Sequence, residues 1–211
     1  MISETAAWLI LLLPLISFVV IITFIRPVLG SASLISGIIA ITTFSISLGL
    51  SVWALVSIID APTHLVEFDS HKWLDVGVMH IEIGIMMDAL TAIMLIVVSS
   101  ISLMVQIYSL GYMKDDPSVS RFFAYMSLFT ASMFGLVLAD NLIMLYVFWE
   151  LVGLSSYLLI GFWSDRPTAA AAAKKAFIIT RIGDFGFMIG VLYVISNLAN
   201  IYGPLSEFTG D

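Results

Sequence analysis

Three ionisable residues within apolar stretches carry the chemistry that this sequence offers. Glu150 lies about nine residues into an apolar run that begins at Leu142, while Arg181 and Asp184 lie in the next apolar run. At a helical rise of about 1.5 Å per residue, Glu150 would lie near the middle of a bilayer. A central acidic residue costs roughly 2.5 to 3.5 kcal/mol to insert, so it must face protein or water, or carry a proton. Glu150 is therefore predicted to exchange protons.

The helical neighbours of Glu150 indicate which way it points. Tyr146, Gly153 and Tyr157 lie four residues before, three after and seven after it, so one face of the helix is polar or small. We expect that face to point into a helix bundle. The alternative interpretation is structural, with Glu150 acting as a hydrogen-bond partner that locks two helices together.

Arg181 and Asp184 are three residues apart, so they share a helix face and can neutralise each other at depth. From these residues alone, a structural pair and a component of a proton path are equally good interpretations. Lys174 and Lys175 precede the pair near the start of the same run, where long amines reach back to the membrane interface. For both lysines, interfacial placement is the favoured interpretation.

The composition identifies the solvent as lipid. Hydrophobic residues make up 61% of the chain, charged residues 11%, and the mean hydropathy is +1.10. Runs of about 20 apolar residues span a bilayer as helices and exclude a β-barrel. We predict an all-α polytopic protein with six spans at residues 6–25, 32–59, 88–112, 122–138, 142–163 and 169–196. Because residues 1–7 contain Glu4 and no Lys or Arg, the first helix is expected to be retained.

The connections divide the chain into two N-terminal helices (residues 1–59), an external loop (60–87) and the start of a helical module (88–211). Apolar and polar residues alternate at the end of the loop, which predicts a small β-hairpin. The first helix pair is predicted to turn at Arg26, Pro27 and Gly30. Asp140 and Asn141 alone separate the fourth and fifth spans, so these two should form a tight antiparallel hairpin.

Basic residues predict the orientation. The turns after the first, third and fifth helices hold most of them, whereas the opposite side has only Lys72. The side rich in basic residues is expected to be cytoplasmic, with the N-terminus outside. Its basic residues are Arg26, Lys114, Arg121, Arg166, Lys174 and Lys175.

Several other chemistries find no support in the residues. The chain has no cysteine, so it can hold neither a disulfide nor a thiolate-bound iron–sulfur cluster. The spacing of His64, His71 and His80 matches no metal site, and the net charge of −7 implies no nucleic-acid partner. One stripe of the third span is polar and is expected to pack against another helix. It contains Ser99, Ser102, Gln106 and Ser109.

From residue 84 the chain has the segments GIMMDALTAIMLIVVSSISLMVQIYSLGYM, WELVGLSSYLLIGFW and AAAKKAFIITRIGDFGFMIG. This sequence resembles the antiporter-like large subunits of NADH:quinone oxidoreductase, or respiratory complex I, of the bacterial subunit L and mitochondrial subunit 5 type. The large subunit of Mrp-type sodium/proton antiporters and membrane subunits of energy-converting hydrogenases share much of the pattern.

The resemblance implies a proton-translocating membrane subunit that couples electron transfer to pumping. Glu150 matches a glutamate of the fifth helix that pairs with a lysine on a later helix. Arg181 and Asp184 match the family's arginine and aspartate, while Lys174, Lys175 and Tyr157 are accessory candidates. No cofactor is expected in this chain, since NADH, FMN, iron–sulfur clusters and quinone would belong to partner subunits.

The expected setting is a bacterial inner membrane or an organellar energy-converting membrane, beside other complex I membrane subunits, especially a neighbouring antiporter-like one. Family members have further helices after the sixth, in two inverted repeats. The chain is therefore expected to be a fragment, a split subunit or a truncated product. Two alternatives remain open: an Mrp-type antiporter subunit, and a truncated scaffold subunit that translocates nothing itself.

Overall fold

The computed structural model describes residues 2–30, 34–61, 65–68, 71–76 and 79–202. Six helical segments within these ranges are long and apolar enough to cross a membrane, which confirms the predicted spans. The first combines α1 (Glu4–Val20), a π-helical turn (Ile21–Ile25) and α2 (Arg26–Leu29). The others are α3 (Ile35–Ile59), α4 (Ala89–Tyr112), α5 (Val119–Leu138), α6 (Leu142–Ile160) and α7 (Pro167–Tyr202).

Short polar side chains begin three of these helices. The side chains of Ser3, Asp88 and Asn141 accept hydrogen bonds from the backbone N–H groups three residues later, at 3.3, 2.7 and 2.8 Å. Each bond satisfies one of the N–H groups that the first turn of a helix leaves without a partner. At Asp88, just outside the α4 span, the backbone N–H of Thr91 lowers the pKa of the carboxyl below its usual range.

The first turn differs from its prediction. Arg26 and Pro27 were expected in the turn, but both lie in the helical segment α2, which ends at Leu29 with Gly30 as its C-cap at a φ of 88°. Pro27 is tolerated because it stands in the first positions of α2, directly after the π-helical turn. Residues that have a Cβ rarely adopt the positive φ found at Gly30, whereas glycine does so readily.

The second predicted turn is confirmed. Asn141 caps α6 three residues after α5 ends, and α5 packs closely against α6. Gly135 of α5 lies directly against the ring of Phe148 in α6, where a Cβ would overlap it. The ends of these helices differ slightly from prediction: α5 begins at Val119 rather than at residue 122, and α6 ends at Ile160 rather than at 163.

The external loop forms two nested antiparallel strand pairs, one more than the hairpin predicted. The strands are β1 (Leu65–Glu67), β2 (His71–Val76), β3 (Met79–Ile83) and β4 (Met86–Asp88), paired β2–β3 inside β1–β4. Two side-chain contacts attach the loop to the helices, and Ile85 also forms an isolated β-bridge with Ala139. His71 Nε2 lies 2.7 Å from Glu4 Oε1, and Asn141 Nδ2 donates to the carbonyl oxygen of Glu82 at 3.0 Å.

The core lies where α1, α3, α4 and α5 meet. The polar stripe of α4 is buried there, as its packing role required, and Thr130 of α5 donates to the hydroxyl of Ser102 at 3.1 Å. In contrast, only 11% of the residues in the most apolar 18-residue stretches of α6 and of α7 are buried, against 50% in that of α5. Helix α7 packs extensively only against α6 among the described elements, so this pair lies at the edge of the described structure.

Candidate functional site

Glu150 stands at the ninth position of the nineteen-residue helix α6, and therefore in its middle. The Arg181 Nη1 of α7 forms an ion pair with Glu150 Oε2. The side chains are only partly exposed, 33% for Arg181 and 21% for Glu150. This contact links the middle of α6 to α7, and both charges are partly shielded by the two helices.

Arg181 is shared between two carboxylates. Its Nη1 also lies 3.8 Å from Asp184 Oδ2, one helical turn further along α7. The indole N–H of Trp149 donates to Asp184 Oδ1 at 2.8 Å. We call Glu150, Arg181, Asp184 and Trp149 the charge cluster.

The sequence predicted only part of this arrangement. The pairing of Arg181 with Asp184 is confirmed, because a three-residue spacing fixes it within one helix. The contact between Arg181 and Glu150, and the bond from Trp149, were missed. Their one signal in the sequence is that three polar groups occur at similar depth in consecutive spans, a position that polar side chains occupy only with partners.

Aromatic rings surround the charge cluster. The ring of Phe177 lies 4.8 Å from the Arg181 guanidinium carbon, in cation–π geometry. Tyr157 contacts Phe177 at a centroid distance of 5.1 Å, and Phe187 contacts Tyr146 at 5.7 Å. Such rings keep the local dielectric constant low, so charges interact more strongly there than in water.

The predicted inward face of α6 is correct at both tyrosines, which face α7. At Gly153 no described atom of another element lies within 4 Å of the position that a Cβ would take, so the inward orientation stays a prediction there. The face is therefore not covered along its whole length. It contacts α7 above and below an open position.

One side of the charge cluster is accessible. Arg181 lines an open groove of about 370 Å³ on the surface of α7, together with Phe177, Ile178, Ile182 and Phe185. The guanidinium can therefore be approached from outside the helix pair. An approaching charged or proton-carrying group would meet the cation that holds both carboxylates.

Two of the three accessory candidates share a cavity. Tyr157 and Lys174 both line a cavity of about 340 Å³ at the end of α6. Lys175 is exposed and does not line that cavity. Seven residues separate Lys174 from Arg181, and seven separate Tyr157 from Glu150, so the cavity and the cluster lie about two helical turns apart.

Of the three histidines, only His71 has a described side chain. His64 lies outside the described residues, and His71 contacts Glu4. Within the described part of the chain, no three His, Asp or Glu side chains form a group that could hold a metal ion. That the histidines bind no metal stays a prediction.

Two protein-family models match the chain. Residues 73–123 match the N-terminus of chain 5 of NADH-ubiquinone oxidoreductase (complex I). Residues 139–204 match the transmembrane domain named for NADH:quinone oxidoreductase and Mrp antiporters, and this second match contains the charge cluster. Together the two matches cover more than half of the chain.

Curated relatives agree with these matches. The chain is 58% identical over 120 residues to the chloroplast NAD(P)H-quinone oxidoreductase subunit 5 of Chaetosphaeridium globosum, an alignment that covers 57% of this chain and 18% of the relative. It is 54% identical over 121 residues to NAD(P)H-quinone oxidoreductase chain 5 of Synechocystis sp., with 57% and 18% covered. Over 153 residues it is 51% identical to the chloroplast subunit 5 of Mesostigma viride, with 72% and 23% covered. The chain spans about a fifth of the length of these relatives.

The fold is similar to that of a chain in a solved membrane complex. This complex is the membrane-bound sulfane sulfur reductase, an archaeal respiratory membrane complex, in which a chain superimposes with a TM-score of 0.75. The match covers 95% of this chain and 37% of the other, at 22% sequence identity. The helix arrangement is therefore one that occurs in a larger membrane protein.

Proposed function

Because this chain belongs to the family of antiporter-like membrane subunits of NADH:quinone oxidoreductases and Mrp antiporters, we propose that it takes part in proton translocation across an energy-converting membrane. The observation that carries the proposal is the position of Arg181. This single cation lies within reach of two carboxylates, in the middle of two helices that could span the bilayer.

The geometry suggests how a proton would move. While Arg181 pairs with Glu150, the ionised carboxylate is compensated, and proton binding gains little. If the guanidinium moves toward Asp184, Glu150 keeps a charge in a poorly solvated place, which favours the protonated form. Return of Arg181 would expel that proton. The cluster can thus convert a small side-chain movement into proton uptake and release.

Trp149 and Phe177 would guide that movement. The Trp149 indole holds Asp184 in place at 2.8 Å, and the Phe177 ring supports the guanidinium at 4.8 Å. Arg181 can then exchange partners by rotating over a fixed ring. The groove beside Arg181 is where a group from another part of the protein, or from another subunit, would act on the cation.

The electron carriers would lie elsewhere. We propose that iron–sulfur clusters are bound by partner subunits, because the chain has no cysteine to ligate one. NADH, FMN and quinone are proposed to bind there too, as the family resemblance implies. Other membrane subunits would lie against it, with an antiporter-like subunit as its neighbour. The setting would be a bacterial or organellar energy-converting membrane, with the N-terminus on the outer side.

An Mrp-type antiporter is the second candidate, favoured by the description of the matching transmembrane domain. The same cluster would then serve proton exchange without redox chemistry. Proton movement that needs a sodium gradient supports this candidate, whereas proton movement driven by a quinone-reducing reaction supports the first. A scaffold role would leave both kinds of transport insensitive to changes in the charge cluster.

The test replaces Glu150 with Gln in the complete complex. Gln keeps the volume and can accept a hydrogen bond from Arg181, but it cannot titrate. We expect assembly to survive and proton pumping into sealed vesicles to fall strongly, with electron transfer falling where the two are tightly coupled. The matched control is Asp60→Asn, which neutralises an exposed carboxylate at the end of α3 and should leave pumping unchanged. A fully pumping Glu150→Gln complex would contradict the proposal.

A further inference from the structure

The cavity at the end of α6 has the composition of an anion site. It has a volume of about 340 Å³ and lies where the turn after α6 meets the first turns of α5 and α7. Arg121 and Lys174 both line it, and no carboxylate is among its lining residues. Its volume is within the range of about 300 to 1,000 Å³ that is usual for small-molecule sites.

Arg121 is held firmly but retains donor capacity. Its Nη2 donates to the carbonyl oxygen of Phe162 at 2.8 Å, and its guanidinium carbon lies 4.9 Å from the Phe162 ring centre. Its Nε is buried and has no hydrogen-bond partner among the described residues. Because Nε has almost no accessible surface, a ligand in the cavity would meet the guanidinium charge and its outer N–H groups instead.

The remaining polar lining groups are hydroxyls. Tyr125, Tyr157 and Ser164 line the cavity, and each can donate a hydrogen bond to an anionic oxygen. The nearest acids by sequence are accounted for otherwise. Asp116 accepts a hydrogen bond from the Trp163 indole at 2.9 Å, and Asp165 is exposed and does not line the cavity. The site therefore offers two cations and several donors to a ligand rich in acceptors.

The other half of the lining is apolar. Leu158, Phe162 and Ala173 belong to it. The cavity lies near the ends of three helices that could span a membrane, where lipid headgroups would be expected. A ligand that combines anionic oxygens with hydrocarbon fits this division, and basic pockets between membrane helices bind anionic lipid headgroups in this way. We propose that this cavity binds the phosphate group of an anionic phospholipid, with the acyl chains directed along the helices. Free phosphate would make the same polar contacts, but it has no hydrocarbon to contact the apolar lining.

This inference does not depend on the proposed function, because the cavity is separate from the charge cluster and the test measures binding. The complete complex is purified, incorporated into nanodiscs and exposed to phosphatidylglycerol that carries a photoreactive group beside its phosphate. Cross-linked peptides are then located by mass spectrometry. We expect labelling within residues 121–125 and 157–174, competed by unlabelled phosphatidylglycerol and not by phosphatidylcholine.

The variants are Arg121→Gln and Lys174→Gln, with Lys175→Gln as the matched control, since Lys175 neighbours Lys174 but does not line the cavity. Each lining variant should reduce labelling about fivefold, the change expected from losing one cation near a membrane surface. Arg121→Lys should retain most of it. Should Arg121→Gln fail to assemble, the exposed Lys174 decides the question. Labelling that is equal in all variants overturns the proposal, as does equal competition by phosphatidylcholine. Equal competition by inorganic phosphate would identify free phosphate as the ligand and overturn the lipid assignment.

Discussion

Removing Arg181 is the sharpest perturbation of the charge cluster. In Arg181→Ala, Glu150 and Asp184 lose the cation that lies between them, and two carboxylates face each other across α6 and α7. Breaking a buried ion pair costs roughly 3 to 5 kcal/mol. Because a third of the Arg181 side chain is exposed, we expect the lower end, about 3 kcal/mol.

The assay separates stability from transport. Thermal melting of the purified complex, followed by loss of the assembled peak in size-exclusion chromatography, reports the first. Proton pumping in sealed vesicles reports the second. We expect Arg181→Ala to melt at a clearly lower temperature and to pump poorly.

The double variant Arg181→Ala/Asp184→Ala distinguishes a structural pair from a functional one. It removes a charge of each sign, so much of the lost stability should return, by the logic of a double-mutant cycle. Pumping should stay low, because the cation that Glu150 requires is still absent. If the stability of the single variant, derived from its melting, lies within about 0.5 kcal/mol of the parent, Arg181 does not compensate these carboxylates. The reasoning would then fail.

Three further predictions concern the cluster and the frame around it. Trp149→Phe keeps an aromatic ring but loses the N–H that Asp184 accepts, so stability should fall by about 1.5 to 3 kcal/mol; unchanged melting would show that this bond contributes nothing. Cysteines placed singly at Lys72 and Asp115 should react with impermeant reagents from opposite sides of sealed vesicles, and labelling from one side would contradict the proposed orientation. The pKa of Asp88 lies below its usual range because a helix N–H donates to its carboxylate, so the bond stabilises the fold above about pH 4 and is lost as the pH falls further. The melting temperature of Asp88→Asn should therefore depend less on pH in the acid range than that of the parent. An equal dependence in both proteins would argue against this bond.

The spans were predictable because their cause is local. A helix must carry about 20 apolar residues to cross a bilayer, and that requirement is visible in the sequence. Helix ends were less predictable, because apolar residues continue beyond them. Trp163 is apolar enough to extend α6, yet the helix ends at Ile160. Trp163 lies in the turn that follows and donates a hydrogen bond to Asp116, which lies between α4 and α5.

The site was predictable only within single helices. The spacing of Arg181 and Asp184 fixes their contact, whatever surrounds them. The contact with Glu150 depends on which faces of α6 and α7 meet. Both helices are apolar on nearly every side, because lipid or other helices can cover any of them. Hydrophobic periodicity therefore does not show which face of α6 meets which face of α7. Only the structure shows that Trp149 lies beside Asp184.

The charge cluster contains an odd number of formal charges. With both carboxylates ionised, Glu150 and Asp184 carry two negative charges against the single positive charge of Arg181. An unbalanced charge at this depth is unfavourable by several kcal/mol, so electroneutrality requires one more positive charge. That charge can be a proton on the cluster or a cation brought to the groove beside Arg181. Under the proposed function, the proton occupancy of the cluster would therefore depend on any positive charge that approaches this groove.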